Sequence, residues 1–201
     1  MIDLIVLDSG VDNFVGSEGV KCSGQNKIEI TGDNNKVEIS SGVVLKGVVI
    51  KISANNSLIR LEAGVRFAGH ILVKQGGGNS VVVGENTTVG GARIICSEGT
   101  KVTIGKDCML SSGIEIRSTD SHPIMDLDGK RINYAADVSI GDHVWLAAHV
   151  SILKGARIGR NSIIGTRSVV SGSFQQGNEA IAGNPARIVR SGVNWNREHL
   201  G

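Results

Sequence analysis

The stretch IGDHVWLAAHVSILKGARIGRNSIIGTRSVV, from Ile140 to Val170, decides how this chain folds. Ile140, Leu146, Ile152, Ile158, Ile164 and Val170 stand six positions apart within it. Six is neither the period of about 3.6 of a helix nor the simple alternation of an ordinary strand. An aliphatic residue at every sixth position fits a coil of strands with three corners, one such side chain pointing inward from each face. Three hexads close one coil, so residues 18 positions apart stack directly, about 4.8 Å apart along the axis. The spacing predicts an all-β fold, a parallel β-helix.

The pattern extends upstream with interruptions. Ile104, Leu110 and Ile116 form one clean coil, Val83, Val89 and Ile95 the one before, and Leu61, Phe67 and Val73 the one before that. The phrase polar–polar–aliphatic–x–aliphatic recurs as NKIEI, NKVEI, NSVVV and TKVTI, with a longer version, NSLIRL. Its anchors Ile39, Leu61, Val83 and Ile104 lie 22, 22 and 21 positions apart. These coils therefore carry an extra three or four residues at one corner. Residues 1–29 are less regular and read as an irregular N-terminal cap over the open end of the core. One large break, 117–137 (RSTDSHPIMDLDGKRINYAAD), is rich in Asp, Gly, Pro and Asn and predicts an excursion loop. Beyond Val170, residues 172–201 read as a turn, a final strand, a basic stretch and a short polar tail, for which a terminal helix is one reading. The whole chain, 1–201, is read as a single domain.

Composition agrees with a thin solenoid. Among 201 residues there are 28 glycines, 3% aromatics and two prolines. A narrow core takes Ile, Val and Leu, while tight corners favour residues that tolerate left-handed backbone angles. A formal net charge of +2 with interspersed signs leaves no nucleic-acid footprint. Cys22, Cys96 and Cys108 follow no pairing pattern and point to reduced thiols in a cytoplasmic setting, with Cys96 and Cys108 packing as small apolar residues. The opening MIDLIVLDSG has neither a basic start nor a long apolar run, so neither a signal peptide nor a membrane span is expected.

Three motifs fall in order on this frame: DSHPI (120–124) inside the loop, IGDHVWLAAHVSILKGARIG (140–159), and AGNPARIVR (182–190). Together they resemble the hexapeptide-repeat acetyltransferases, which fold as left-handed parallel β-helices and acylate sugars from acetyl-CoA. The resemblance is strong from about Ile104 to Arg190 and architectural before it. The SHPI loop followed by KRIN (130–133) looks like the enzymes that decorate capsular and lipopolysaccharide sugars, including those acting on sialic acid polymers.

Transfer from a thioester to a hydroxyl needs a base, because the alcohol must lose its proton as the new bond forms; an imidazole suits that step. Five histidines are available: His70, His122, His143, His149 and His199. His122 is the one in the excursion loop, and the resemblance places the catalytic histidine there. Asp120 is a candidate to orient it or to meet the acceptor, equally well read as a turn carboxylate. Trp145 precedes the inward Leu146 and so faces outward, where an aromatic can line a sugar or pantetheine site; the resemblance implies an active-site role for it. The resemblance also implicates Ala148, Thr166 and Ser171 in coenzyme A binding through backbone groups. Arg187 and Arg190 are candidates for its phosphates, although Gly172 stands where the small-sugar enzymes often carry a lysine. Lys130, Arg131 and Tyr134 in the loop are candidate acceptor contacts. A homotrimer with sites between subunits is expected, as are acetyl-CoA as co-substrate, a saccharide acceptor and no metal. N-acetylation of an amino sugar is an alternative. A zinc enzyme of the γ-carbonic-anhydrase type is another, but His143 and His149 occupy equivalent places in consecutive hexads and so sit at different corners. A non-catalytic scaffold is the third.

Overall fold

The computed structural model describes residues 4–199. The chain winds into a left-handed parallel β-helix of about eight coils with three faces. Face one is an eight-stranded sheet running from Phe14–Gly16 through Lys36–Ile39 and Lys101–Ile104 to Ser173–Phe174. The strands Val44–Ile52, Arg66–Lys74 and Thr88–Ser97 turn a corner and contribute their first halves to face two and their second halves to face three. Later coils are cut shorter. Met109–Leu110, Trp145–Leu146 and Ile163–Ile164 continue face two, while Ile114–Arg117, Ser151–Ile152 and Val169–Val170 continue face three.

The hexad ladder is the core. Leu110, Leu146, Ile164 and Ile181 stack in register on face two, and Ile116, Ile152 and Val170 on face three. All seven are buried. Each hexad has a second inward position two residues earlier: Val138, Val144, Val150, Ala156, Ser162 and Ser168, again all buried. The residue between the two points outward, which is ordinary strand alternation confined to three residues per face.

The longer early coils have a physical cause at the corner between faces three and one. There the Asn13 carboxamide oxygen accepts the Asn35 backbone N–H at 2.8 Å, and Asn35 Oδ1 accepts that of Ser57 at 2.9 Å. The side chains thereby satisfy buried backbone donors that the wider turn leaves without a ladder partner. Just before each ladder residue the chain takes a left-handed conformation, at Asn34 (φ 53°) and Asn56 (φ 52°).

Two expectations are corrected. The irregular cap expected over 1–29 is not found among its described residues: Leu4–Asp8 pairs in parallel with Asn26–Ile30, and Phe14–Gly16 with Lys36–Glu38. The first coil is a regular one, and its loose pattern in sequence reflects its position. At the open end Val6 and Phe14 stay exposed, so inward and outward positions lose their contrast. Among the described residues the tail forms no helix; residues 193–199 lie against the solenoid without regular secondary structure. Before them Glu179–Gly183 and Ala186–Ser191 form an antiparallel hairpin across a cis Asn184–Pro185 bond. Its first strand continues face two and its second leaves the parallel winding. Residues 200–201 of the tail and 1–3 of the cap lie outside the described residues. Among the described residues no helix is long and apolar enough to cross a membrane.

Candidate active site

The excursion is an insertion into an otherwise unbroken winding. Ile104 pairs with Ile140, 36 positions on, so the coil between them is twice the usual length and the ladder resumes in register after it. The chain leaves face three after Arg117 and re-enters face one at Val138, which puts the loop at the corner between those faces.

Contacts to the coils on either side hold it there. Arg131 grips Glu98 with both terminal nitrogens, at 2.7 and 3.1 Å, and Thr119 donates to the same carboxylate at 2.7 Å. Those bonds, the one from Arg131 foremost, hold the Glu98 carboxyl below its ordinary range. Asp120 accepts from Lys154 at 2.6 Å and from Asn133 Nδ2 at 2.8 Å, and its carboxyl is lowered for the same reasons, Lys154 first. The buried Asn133 closes the loop on itself: Nδ2 also donates to the His122 carbonyl at 2.9 Å, and Oδ1 accepts the Ile124 N–H at 2.6 Å. Ser121, between Asp120 and His122, takes a left-handed φ of 69°.

The result is a clamped backbone under a free ring. The His122 side chain is exposed, and among the described residues no side chain bonds to its imidazole. Asp120 turns to Lys154 and Asn133 rather than to His122. Of the loop's other candidates, Arg131 is engaged by Glu98 and lies 5.2 Å from the Tyr134 ring centroid, while Lys130 and Tyr134 face solvent.

Trp145 faces outward from face two, half-buried between Met109 and Ile163 in the neighbouring coils. Beside it runs a row of small residues, one per coil: Gly90, Ser111, Ala147, Gly165 and Ala182. The row leaves a strip of backbone uncovered by side chains. Ala148 and Thr166 lie at the corner that ends this face, one coil apart, where the Arg167 N–H already occupies the Ala148 carbonyl at 3.0 Å. Ser171 is exposed across face three, at the loop's corner. Arg187 and Arg190 sit on the outer strand of the final hairpin, opposite Ala182 and Ala180.

His143 and His149 occupy different corners, each with a left-handed backbone (φ 54° and 60°). The His149 ring lies over Gly113, where a Cβ would come within 2.4 Å of Nδ1. Cys96 and Cys108 are core residues, and burial pushes the Cys108 thiol up to about 11.

Sequence reasoning missed Glu98, Asn133, Lys154 and Trp195. Only the small-residue row left a readable signal, in Ala147 and Gly165 at a spacing of 18.

Residues 137–172 match the model of the bacterial transferase hexapeptide (six repeats). A polysialic acid O-acetyltransferase of Neisseria meningitidis is 36% identical over 192 residues, covering 95% of this chain and 89% of that protein. The chain belongs to the hexapeptide-repeat acetyltransferase family. It is thus an acetyltransferase. Two solved structures are similar over nearly its whole length. The polySia-specific acetyltransferase NeuO has a TM-score of 0.90 at 33% identity, covering 98% of this chain and 91% of that one. The polysialic acid O-acetyltransferase OatWY has a TM-score of 0.75 at 33% identity, covering 98% and 93%. Within this family the loop at 118–137 and the strip beside Trp145 are the two features to be explained chemically.

Proposed function

We propose that the chain transfers the acetyl group of acetyl-CoA to a hydroxyl of a cell-surface polysaccharide containing sialic acid, with His122 as general base. The observation that carries this reading is the free His122 ring on a backbone clamped through Glu98, Asn133 and Lys154. A base must hold its position and still reach its proton, and this loop provides both. His122 takes the hydroxyl proton as the oxygen attacks the thioester carbonyl. The C–S bond breaks, and the proton returns from the ring to the departing thiolate.

The small-residue strip supports the co-substrate. An extended amide arm needs accessible backbone groups and no side chains in its way, which Gly90 through Ala182 supply. Arg187 and Arg190 lie beyond its far end, where phosphates would sit. Exposed Lys130 suits an acidic sugar, and the substrates named for the relatives are of that class.

His122 and Trp145 lie on opposite sides of one chain, the first at the corner between faces three and one and the second on face two. For both to serve one site a second copy has to bring them together, and the assembly proposed is a homotrimer with sites between subunits. The apolar tip of the loop, with Leu127, Ile124 and Met125 exposed, gives that contact an apolar element.

The test is mass spectrometry of oligosaccharides incubated with the protein and acetyl-CoA. A gain of about 42 Da on a sialic acid oligomer is expected. His122→Ala should abolish it while coenzyme A binding persists; undiminished transfer by that variant would remove His122 from the mechanism.

A further inference from the structure

After the final hairpin, the segment 193–199 turns back along the solenoid. It follows the corner between faces one and two toward the earlier coils. The Val193 N–H donates to the Asn178 carbonyl at 3.0 Å, and Asn178 Nδ2 donates to the Val193 carbonyl at 3.1 Å. Trp195 stacks on His143 with ring centroids 4.3 Å apart and planes 9° from parallel. Its indole N–H donates to the His143 carbonyl at 2.8 Å. The His143 ring faces the Trp195 carbonyl at 3.0 Å through Nε2 and Asp107 at 2.7 Å through Nδ1. Arg197 ends the run on Asp107 (3.0 Å), the Thr88 hydroxyl (2.9 Å) and the Cys108 carbonyl (2.8 Å). Burial works to raise the Asp107 carboxyl, but the bonds from His143 and Arg197 outweigh it and hold the group below its usual range.

The corner itself changes where this strap lies. Every coil needs a left-handed residue there, and the early ones use Gly42 (φ 81°) and Gly64 (φ 74°). Under the strap the same conformation is adopted by Asn86 (φ 59°), Asp107 (φ 54°), His143 (φ 54°), Asn161 (φ 59°) and Asn178 (φ 55°), of which Asn161 bonds to Asn178 and not to the strap. Histidine in this region carries a steric cost that glycine avoids. Here the side chains of Asp107, His143 and Asn178, and the backbone carbonyl of Asn86 (3.4 Å from Arg197), all bond to the strap.

The strap reaches the functional face. Trp195, buried to 9% exposure among exposed neighbours, tilts against Trp145 at 6.1 Å between centroids and 46° between planes. Between them opens a cleft of about 610 Å³ lined by Met109, Ser111, Trp145, Trp195, Asn196 and Arg197, among others. Ser111 belongs also to the small-residue strip, so cleft and strip are continuous.

We propose that this strap is a positioning element for acetyl transfer: Trp195, clamped on His143, fixes the indole of Trp145 and walls the apolar cleft that receives the acetyl end of the thioester. The inference rests on the function proposed above. Trp195 acts through Trp145, and an aromatic wall free to swing would forfeit the orientation that transfer requires.

Trp145 and Trp195 are the only tryptophans in the chain, which makes the contact directly observable. Near-ultraviolet circular dichroism should show a coupled-indole couplet that disappears in both Trp195→Phe and Trp145→Phe. Trp195→Ala should lower kcat about tenfold or more with KM for acetyl-CoA nearly unchanged, and Trp195→Phe, which keeps a ring on His143, should recover most of the loss. A Trp195→Ala variant with kcat within about twofold of the parent would overturn the proposal, as would a loss that Trp195→Phe fails to rescue. If the parent protein acetylates no saccharide but binds coenzyme A, it is the acceptor reading that falls. The strap is then judged by quenching of the single remaining indole, Trp145, when coenzyme A is added to the two Trp195 variants. Stronger quenching in Trp195→Phe than in Trp195→Ala upholds it, and equal quenching overturns it.

Discussion

Asn133 shows how one buried side chain can set the position of another it does not touch, here His122, the proposed base. Its carboxamide joins Asp120, the His122 carbonyl and the Ile124 N–H, closing the neck of the loop beneath the histidine. Asn133→Ala should leave the His122 carbonyl and the Ile124 N–H unpaired, with Asp120 still held by Lys154, and let the His122 backbone drift. The expected outcome in steady-state kinetics is a fall in kcat of about tenfold or more, with coenzyme A affinity by calorimetry unchanged. Glu98 gives the loop a pH dependence of known sign. Its carboxyl is lowered in the folded chain from an ordinary value of 4.5, chiefly by Arg131. The stabilisation it supplies is therefore present above that ordinary value and lost as pH falls through the depressed one. Limited proteolysis within 118–137 should accelerate in that acid range, and Glu98→Gln should raise susceptibility at neutral pH and flatten the dependence to the part left by Asp120, whose carboxyl Lys154 also lowers. Neither role was legible from residues alone. Glu98 lies 33 positions from Arg131, and only the stacking of coils brings them together.

At the scale of the strand and corner, the hexad pattern was legible because each face is too short to hide it. One large inward residue, one outward residue and one small inward residue fill a face, and the corner takes the remainder. The large position stands out in sequence. The small one, declining from Val138 to Ser168, does not, since its residue type changes along the ladder and ends in Ser, which is mostly found exposed. Corners impose their own limits. Gly69 adopts a φ of 119° where the strand Arg66–Lys74 bends between faces, and a Cβ there would lie 2.0 Å from the Ala92 carbonyl oxygen. Gly69→Ala should cost more than about 1 kcal/mol, measured as a lower denaturation midpoint with an unchanged slope. The loop was legible as a break in the ladder, though its clamps were not.

For the whole molecule, the three-cornered section decides which groups can meet. A residue at the corner between faces three and one lies across the core from face two, so the proposed mechanism draws His122 and Trp145 of one site from two chains. Mixing provides a direct check. His122→Ala and Trp145→Ala chains, each inactive alone, should regain activity when unfolded and refolded together, because some interfaces then pair an intact histidine with an intact tryptophan. Continued inactivity of the mixture, with hetero-oligomers demonstrated by native mass spectrometry, would place the whole site within one chain.

The amino-acid sequence alone determined the winding: a six-residue period admits one kind of coil, and its single large interruption located His122. It also turned Trp145 outward, since the register that buries Leu146 leaves its neighbour no other side. Tertiary structure decided what holds these residues in place. Glu98 with Arg131, Lys154 with Asp120, and Trp195 with His143 are joined across 33, 34 and 52 positions. A local period describes what each coil repeats, whereas these contacts depend on which departures from the repeat come to lie side by side once the coils are stacked.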